Sequence, residues 1–285
     1  MQGGNDAMYI DTHVHFWEIA RDDYGWLQPG NSVLYRDYLP EHALPEMKER
    51  SVDGVIAVQA APTEAEAWFL LELSRRFPVI VGVSAGLDPF SGEFEAAIER
   101  LRSDPTFKGV RLNGGEFRRA QADAASRAKL TAALRTLERA GLTLDLLVRP
   151  DALAAVAERL EEAPSLRSVV NHLGGPNAEE MPNESWTEGV RRLSALPNTF
   201  AKLSGMLTLS RRPEPLRPYV DALFDRFGAR RLLFGSDWPV ALQAGGYGDV
   251  VARFESLLPN GIDEAELRLV RGGNARRVYR LGDGE

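Results

Sequence analysis

Short apolar runs alternate along this chain with longer segments in which apolar residues return every three or four positions. The runs predict strands buried on both faces, and the segments between them predict helices with one apolar face. Strands are predicted over 9–16, 53–60, 79–85, 108–112, 143–148, 166–173, 199–204 and 232–237. Helices are predicted over 40–48, 63–76, 91–102, 126–140, 184–196, 215–227, 247–258 and 263–279, with one more running from a cap at Asp151 to Glu162. Thr63 followed by Glu66 has the spacing of a capping box, and Gly141 stands where a helix C-terminus needs a left-handed residue. The segment 17–39, broken by Gly25, Pro29 and Gly30, predicts a long irregular loop, and such loops are usually functional. Eight strand–helix units predict an α/β chain folded as a single-domain (β/α)8 TIM barrel over 9–285, preceded by a short extension over 1–8. An open doubly wound sheet would bring a glycine-rich phosphate turn, and the chain has neither G-x-G-x-x-G after its first strand nor G-x-x-x-x-G-K-[ST].

Composition narrows the function classes. The chain has 285 residues, 44% hydrophobic and 26% charged, a length that suits a barrel of roughly 250 residues. Its net charge of −7 argues against a nucleic-acid or anionic-membrane partner. With no cysteine, disulfides, thiolate nucleophiles and Cys-ligated metals are excluded. The start shows no basic region leading into an apolar run, and no apolar run reaches the ~20 residues a membrane helix needs, so the expected location is cytoplasmic. An acidic surface with scattered apolar residues suits a monomer or a homodimer.

In a barrel of this kind chemistry sits at the C-terminal ends of the strands. The first strand ends in His13 and His15, which alternation places on one face with Asp11, while Val14 and Phe16 take the other. The fourth strand ends in Arg111 and Asn113, the fifth in Arg149, and the sixth in Asn171 and His172. The seventh carries Lys202 and Ser204, and the eighth ends in Ser236, Asp237 and Trp238. His42 falls in a surface helix and is given no role. Each residue has a plain structural reading. His172 suits a hydrogen-bonded core histidine, Asp237 a turn cap, and Arg111 and Arg149 ion pairs. Lys202, in an apolar run, needs a partner because an unpaired buried charge is costly. The joint placement of three histidines and an aspartate at one mouth is what points to a site.

The motifs D-T-H-V-H-F-W at Asp11–Trp17, Y-x-W-L at Tyr24–Leu27, L-L-V-R-P ending at Pro150, N-H-L-G-x-P from Asn171, K-L-S-G from Lys202 and F-G-S-D-W-P from Phe234 follow one another in order, with a late G-N-A at Gly273. The chain thereby resembles the amidohydrolase superfamily and, within it, the branch of sugar-lactone hydrolases that includes L-fuconolactonases and L-rhamnonolactonases. Two positions depart from that pattern. Leu112 replaces a histidine common after the fourth-strand Gly-x-Arg, and Asn171 replaces an aspartate before the sixth-strand histidine. Both fall where substrate would lie.

The resemblance implies hydrolysis of a lactone, most simply a sugar aldonolactone. Asp237 would act as general base, His13 and His15 would polarise the carbonyl, and His172 would donate to the oxyanion or leaving oxygen. Arg111, Asn113, Arg149 and Lys202 would hold hydroxyls or a carboxylate, and Trp17, Tyr24, Trp26 and Trp238 would wall the sugar face. A divalent metal, Zn²⁺, is implied too. Lys108 opens the fourth strand rather than closing it, so it is badly placed to bridge two ions, and the fifth strand has no histidine. His13, His15 and Asp237, with His172 as a further candidate, remain to hold one weakly bound ion, and the same set also suits a site that works without metal. Two other readings stay open: a nonoxidative decarboxylase of an unsaturated or aromatic acid, and a barrel that binds a ligand without turnover.

Overall fold

Eight parallel strands, each hydrogen-bonded to the next in chain order, curl into one barrel in the computed structural model, which describes residues 9–282. The extension expected over 1–8 lies outside the described residues, as do 283–285. The strands are β1 (Tyr9–Val14), β2 (Val52–Val58), β3 (Ile80–Gly86), β4 (Phe107–Asn113), β5 (Thr143–Leu147), β6 (Arg167–Val170), β7 (Thr199–Leu203) and β8 (Leu232–Phe234). The helices are α1 (Pro40–Glu49), α2 (Glu64–Arg76), α3 (Phe94–Leu101), α4 (Gly114–Ala122), α5 (Ala124–Ala140) and α6 (Pro150–Leu160). They continue with α7 (Glu184–Ala195), α8 (Met206–Leu209), α9 (Arg217–Phe227), α10 (Tyr247–Leu257), α11 (Glu264–Arg268) and α12 (Asn274–Val278). No helix among the described residues is long and apolar enough to cross a membrane.

Two apolar layers result. The larger lies between the strands and the surrounding helices. The smaller fills the barrel, where Ile10, Ile56, Val169, Phe200 and Leu233 meet Val278 and Tyr279 at the end of α12. The backbone at Val278 accepts hydrogen bonds from Thr143 and Arg167 at the starts of β5 and β6, so the end of the chain plugs the N-terminal end of the barrel. The C-terminal end is left for chemistry.

Several local expectations are corrected. A helix absent from the predicted set follows β4: α4 starts at Gly114, where the Asn113 N–H donates to the Glu116 carboxylate at 2.8 Å. Asp151 does not cap α6; Arg149 holds the N-cap position and Pro150 opens the helix, as proline's fixed φ favours. Thr63 accepts from Glu66 N–H as expected, but the buried Glu66 carboxylate turns to Ala60 and Ala61 N–H at 2.6 and 2.9 Å instead of closing the box. Strand β6 stops at Val170 because His172 and Leu173 take left-handed φ of 51° and 55°. The run 263–279 breaks into α11 and α12 around a π-turn at Leu269–Gly273.

The face of Asp11 is also corrected. Asp11 pairs with Val55 and Val14 with Ala57, three steps on β1 against two on β2, so β1 carries one extra residue between them. A bulge of this kind reverses the alternation beyond it. Asp11 therefore lies outside the barrel, accepting from Tyr247 of α10 at 2.8 Å and from Ser236 N–H at 2.8 Å. His13 and His15 turn into the mouth.

Lys202, expected to hold substrate, is fully buried in the barrel interior. Its ammonium donates to Asp145 Oδ1 at 2.6 Å and to Thr12 O at 2.7 Å. Asp145 also accepts from Tyr279 and Ser84, at 2.8 and 2.7 Å. Breaking such a pair strands one buried charge. Lys202→Met is expected to lower the unfolding free energy by about 3–5 kcal/mol in urea titration, with part recovered in the joint Lys202→Met, Asp145→Asn variant. Equal stability of wild type and Lys202→Met would show that the pair carries no such penalty.

Candidate active site

Barrel closure builds the site. Between β8 and β1, Asp237 N–H donates to His13 O and His15 N–H to Trp238 O, both at 2.8 Å. These bonds bring the ends of the two strands side by side. Asp237 has a left-handed φ of 63°, which turns its carboxylate over the mouth. Gly235 makes room beneath it, since a Cβ there would lie 2.9 Å from His13 Cβ. His172 arrives from the turn after β6. Gly205, with φ of 66°, lies so close that a Cβ would meet His172 Nδ1 at 2.8 Å.

Three imidazole nitrogens surround one carboxylate oxygen. Asp237 Oδ1 is 3.5 Å from His15 Nε2, 3.7 Å from His13 Nε2 and 3.9 Å from His172 Nε2. These separations are too long for direct hydrogen bonds. They are close to the edge, about 3.4 Å, of a tetrahedron with zinc–ligand bonds near 2.1 Å. Ligand atoms of His13, His172 and Asp237 lie within 4.8 Å of one another. That grouping takes His172, a secondary candidate in the sequence, and leaves His15 beside it. His15 Nδ1 meets Val58 O at 2.8 Å, which fixes the proton there and leaves Nε2 with a free lone pair. His13 Nε2 is buried without a hydrogen-bond partner among the described residues. The donor set, nitrogens and one carboxylate with a position left open, suits a divalent ion such as zinc.

Burial keeps the His13 and His172 imidazoles neutral. It pushes His172 down to about 4, against the pull of Asp237, and pushes His13 well below its ordinary value. His172 Nδ1 is 2.9 Å from Ser204 Oγ, which also accepts the His172 backbone N–H at 3.1 Å. Arg111 donates to Gln59 O and Oε1 at 2.7 and 2.5 Å. It is partly buried, and desolvation lowers its pKa, opposed by the charges of Asp145, Glu66 and Asp237.

A cavity of about 400 Å³ opens from His172 and Asp237. Of the residues expected to bind substrate, Asn113 and Arg149 line it. The aromatic residues do not. Trp17, Tyr24 and Trp238 are buried and pack with Tyr38 and Phe16 against the β8–β1 seam. Trp26 is 45% exposed, with its indole N–H on Ala60 O. Large rings gain most by covering one another, so the loop 17–39 closes the seam instead of roofing the cavity. Arg118 and Thr208 line the cavity and were missed by sequence reading. The Asn113–Glu116 spacing, a capping box, was the signal for the helix that carries Arg118. His42 Nδ1 accepts Leu39 N–H at the start of α1, a capping role.

Residues 10–281 match the family model described as amidohydrolase. The chain is 34% identical over 278 residues to an L-fucono-1,5-lactonase of Burkholderia ambifaria, covering 95% of each protein. A crystal structure of an amidohydrolase from Burkholderia multivorans with bound zinc superposes with a TM-score of 0.84 at 32% identity, covering 96% of this chain and 100% of that one. A 2,6-dihydroxybenzoate decarboxylase complexed with 2,6-dihydroxybenzoate superposes at 0.64 and 18% identity, covering 99% of each chain; that likeness is one of fold.

The depressed His172 pKa sets a pH dependence. The unfolded imidazole binds its proton near 6.5 and the folded one near 4, so the unfolded state holds more protons between these values. Stability from this group is complete above pH 6.5 and falls, by about 3 kcal/mol in total, as pH drops toward 4. In chelator-treated protein, urea midpoints are expected to decline across this window, and His172→Gln should make the decline shallower, with the depressed His13 supplying the rest. An unchanged slope in that variant would remove His172 as its source.

Proposed function

The chain belongs to the amidohydrolase family, and we propose that it is a lactonase, hydrolysing the cyclic ester of a sugar acid at the mouth formed by His13, His15, His172 and Asp237. The observation that carries this reading is the convergence of three imidazoles on one Asp237 oxygen beside a cavity sized for a small ligand. A 34% identity to an L-fucono-1,5-lactonase over 95% of the chain supports it.

Lactone hydrolysis needs an activated water, a stabilised oxyanion and a proton for the leaving alkoxide. Asp237 accepts a proton from water as its oxygen bonds to the lactone carbonyl carbon. His13 and His172, neutral at pH 7, give hydrogen bonds to the developing oxyanion. The ring C–O bond then breaks, and the proton held by Asp237 passes to the alkoxide, leaving a hydroxy acid. The His172 pKa near 4 makes it a hydrogen-bond donor in this scheme and not the proton reservoir. His13, His172 and Asp237, with His15 beside them, are the residues that would hold a divalent metal. When bound it supplies Lewis-acid polarisation and a more acidic water. Asn113 and Arg149 orient substrate in this reading, while Arg111, held on Gln59, stands outside the cavity lining. Lys202, Trp17, Tyr24 and Trp238 act behind the wall of the cavity. A cytoplasmic place in carbohydrate metabolism, as a monomer or homodimer, belongs to the same proposal.

A pH-indicator screen over fucono-, rhamnono-, galactono-, xylono- and arabinono-lactones together with dicarboxylate lactones tests the reaction, and hydrolysis of at least one is expected. Silence across the panel would overturn the sugar-lactone assignment. Asp237→Asn is expected to lower kcat at least ~10²-fold, the scale of lost acid–base help. Near-wild-type turnover would remove Asp237 from the mechanism. Protein purified without chelator or added metal is expected to carry a divalent ion by elemental analysis; a stoichiometry near zero in fully active enzyme would sink the metal assignment.

A further inference from the structure

The cavity runs across the barrel mouth. In an eight-stranded barrel β8 stands opposite β4, and β1 opposite β5. Asp237 follows β8, whereas Asn113, Gly114 and Arg118 follow β4, and Arg149 follows β5; all of these border the one cavity. The wall facing the reacting centre therefore carries two guanidinium groups. Asp237 itself is the one carboxylate among the lining residues.

Neither arginine is consumed by the fold. Arg149 is exposed and has no ion-pair or hydrogen-bond partner for its side chain among the described residues. Its backbone is fixed, because it holds the N-cap position of α6 and lies against the turn at Gly175, where a Cβ would come within 3.4 Å of Arg149 Cα. Arg118 meets Asp151 at 3.2 Å, with both side chains more than half exposed, at 53% and 64%. A pair that open contributes little and yields readily to a better partner. In a chain with a net charge of −7, a cavity wall with the unpaired Arg149 guanidinium and a second, openly paired one is set against the general trend of the surface. A guanidinium fork matches a carboxylate through two parallel N–H···O bonds, a geometry that a neutral hydroxyl cannot reproduce.

We propose that the lactone taken by this chain carries a carboxylate at the end remote from its ring carbonyl, clasped by Arg149 and Arg118 while the carbonyl meets Asp237 and His172. This rests on the lactonase reading and names the substrate class within it. An aldaric monolactone, a sugar diacid with one carboxyl closed into the ring, has this form. The reaction that supplies such a substrate must oxidise the terminal carbon of a sugar acid or uronic acid to the diacid level and close a ring. The product released is an open-chain dicarboxylate.

The test uses three lactones of the L-galacto configuration that differ at C6: methyl in L-fucono-lactone, hydroxymethyl in L-galactono-lactone and carboxylate in L-galactaro-lactone. The expected result is a kcat/KM roughly ten- to hundred-fold higher for the carboxylate than for either neutral lactone, the factor a charge-assisted hydrogen bond contributes. Arg149→Gln and Arg118→Gln should each shrink that ratio, chiefly through KM, and added salt should shrink it in the wild type. Hydrolysis of the neutral lactones with no advantage for the carboxylate would overturn the proposal and leave the lactonase reading standing. So would an advantage that survives both substitutions. No hydrolysis of any of the three would count against the lactonase reading, and this inference would fall with it.

Discussion

The β8–β1 seam is the constraint on which the rest of this molecule depends. A barrel must join its last strand to its first, and here the join is made at the C-terminal end by the backbone of the reacting residues: Asp237 N–H on His13 O, His15 N–H on Trp238 O. Closing the sheet and assembling the site are thus one event. The bulge between Asp11 and Val14 lets it work, because the extra residue turns both histidines inward while Asp11 stays outside to tie Ser236 and Tyr247 to the seam. The aromatic residues of the loop 17–39 cover the join from outside, which is why so large a set of rings lies away from the cavity.

Beneath the seam, the barrel interior changes from apolar to ionic over a short distance. The plug of Val278 and Tyr279 gives way to the Lys202–Asp145 pair, satisfied by Thr12, Ser84 and the Tyr279 hydroxyl. Lys202 Nζ lies 3.5 Å from His13 Nδ1, so the floor of the site is a fixed positive charge. That charge adds to desolvation in keeping His13 neutral. A neutral imidazole can donate a hydrogen bond or offer a lone pair to a metal; a protonated one could do only the first. The buried pair is thus part of the chemistry as well as part of the core.

Charge is laid out across the mouth with the same economy. The carboxylate that handles water stands at the β8 side, and the guanidiniums stand over β4 and β5. Opposite charges on two sides of one cavity let a small ligand be oriented by both ends at once. A substrate held at one end only would sample many poses, and correct orientation of the reacting carbon is itself a large share of rate enhancement.

Much of this was legible along the chain. Apolar runs fixed the strands because a strand covered on both faces has no polar side to show, and His13, His15, His172 and Asp237 stood out because polar residues at the ends of such runs have few other uses. Lys202 marked itself as paired by its apolar surroundings, yet its partner Asp145 lies 57 positions away and could not be read. Asp11 was placed on the wrong face because alternation is a local rule and the bulge that breaks it is set by pairing with β2. Trp17 and Trp238 looked like cavity walls because their chemistry suits one; which neighbours a ring finds depends on the path of a whole loop. The amino-acid sequence by itself determined the barrel and the identity of the groups at its mouth, since burial pattern and residue type are properties of short segments. Only the tertiary structure decided which of those groups meet, which side of the mouth is open and where the unpaired charges lie, because each of these depends on distances between residues that the chain order keeps far apart.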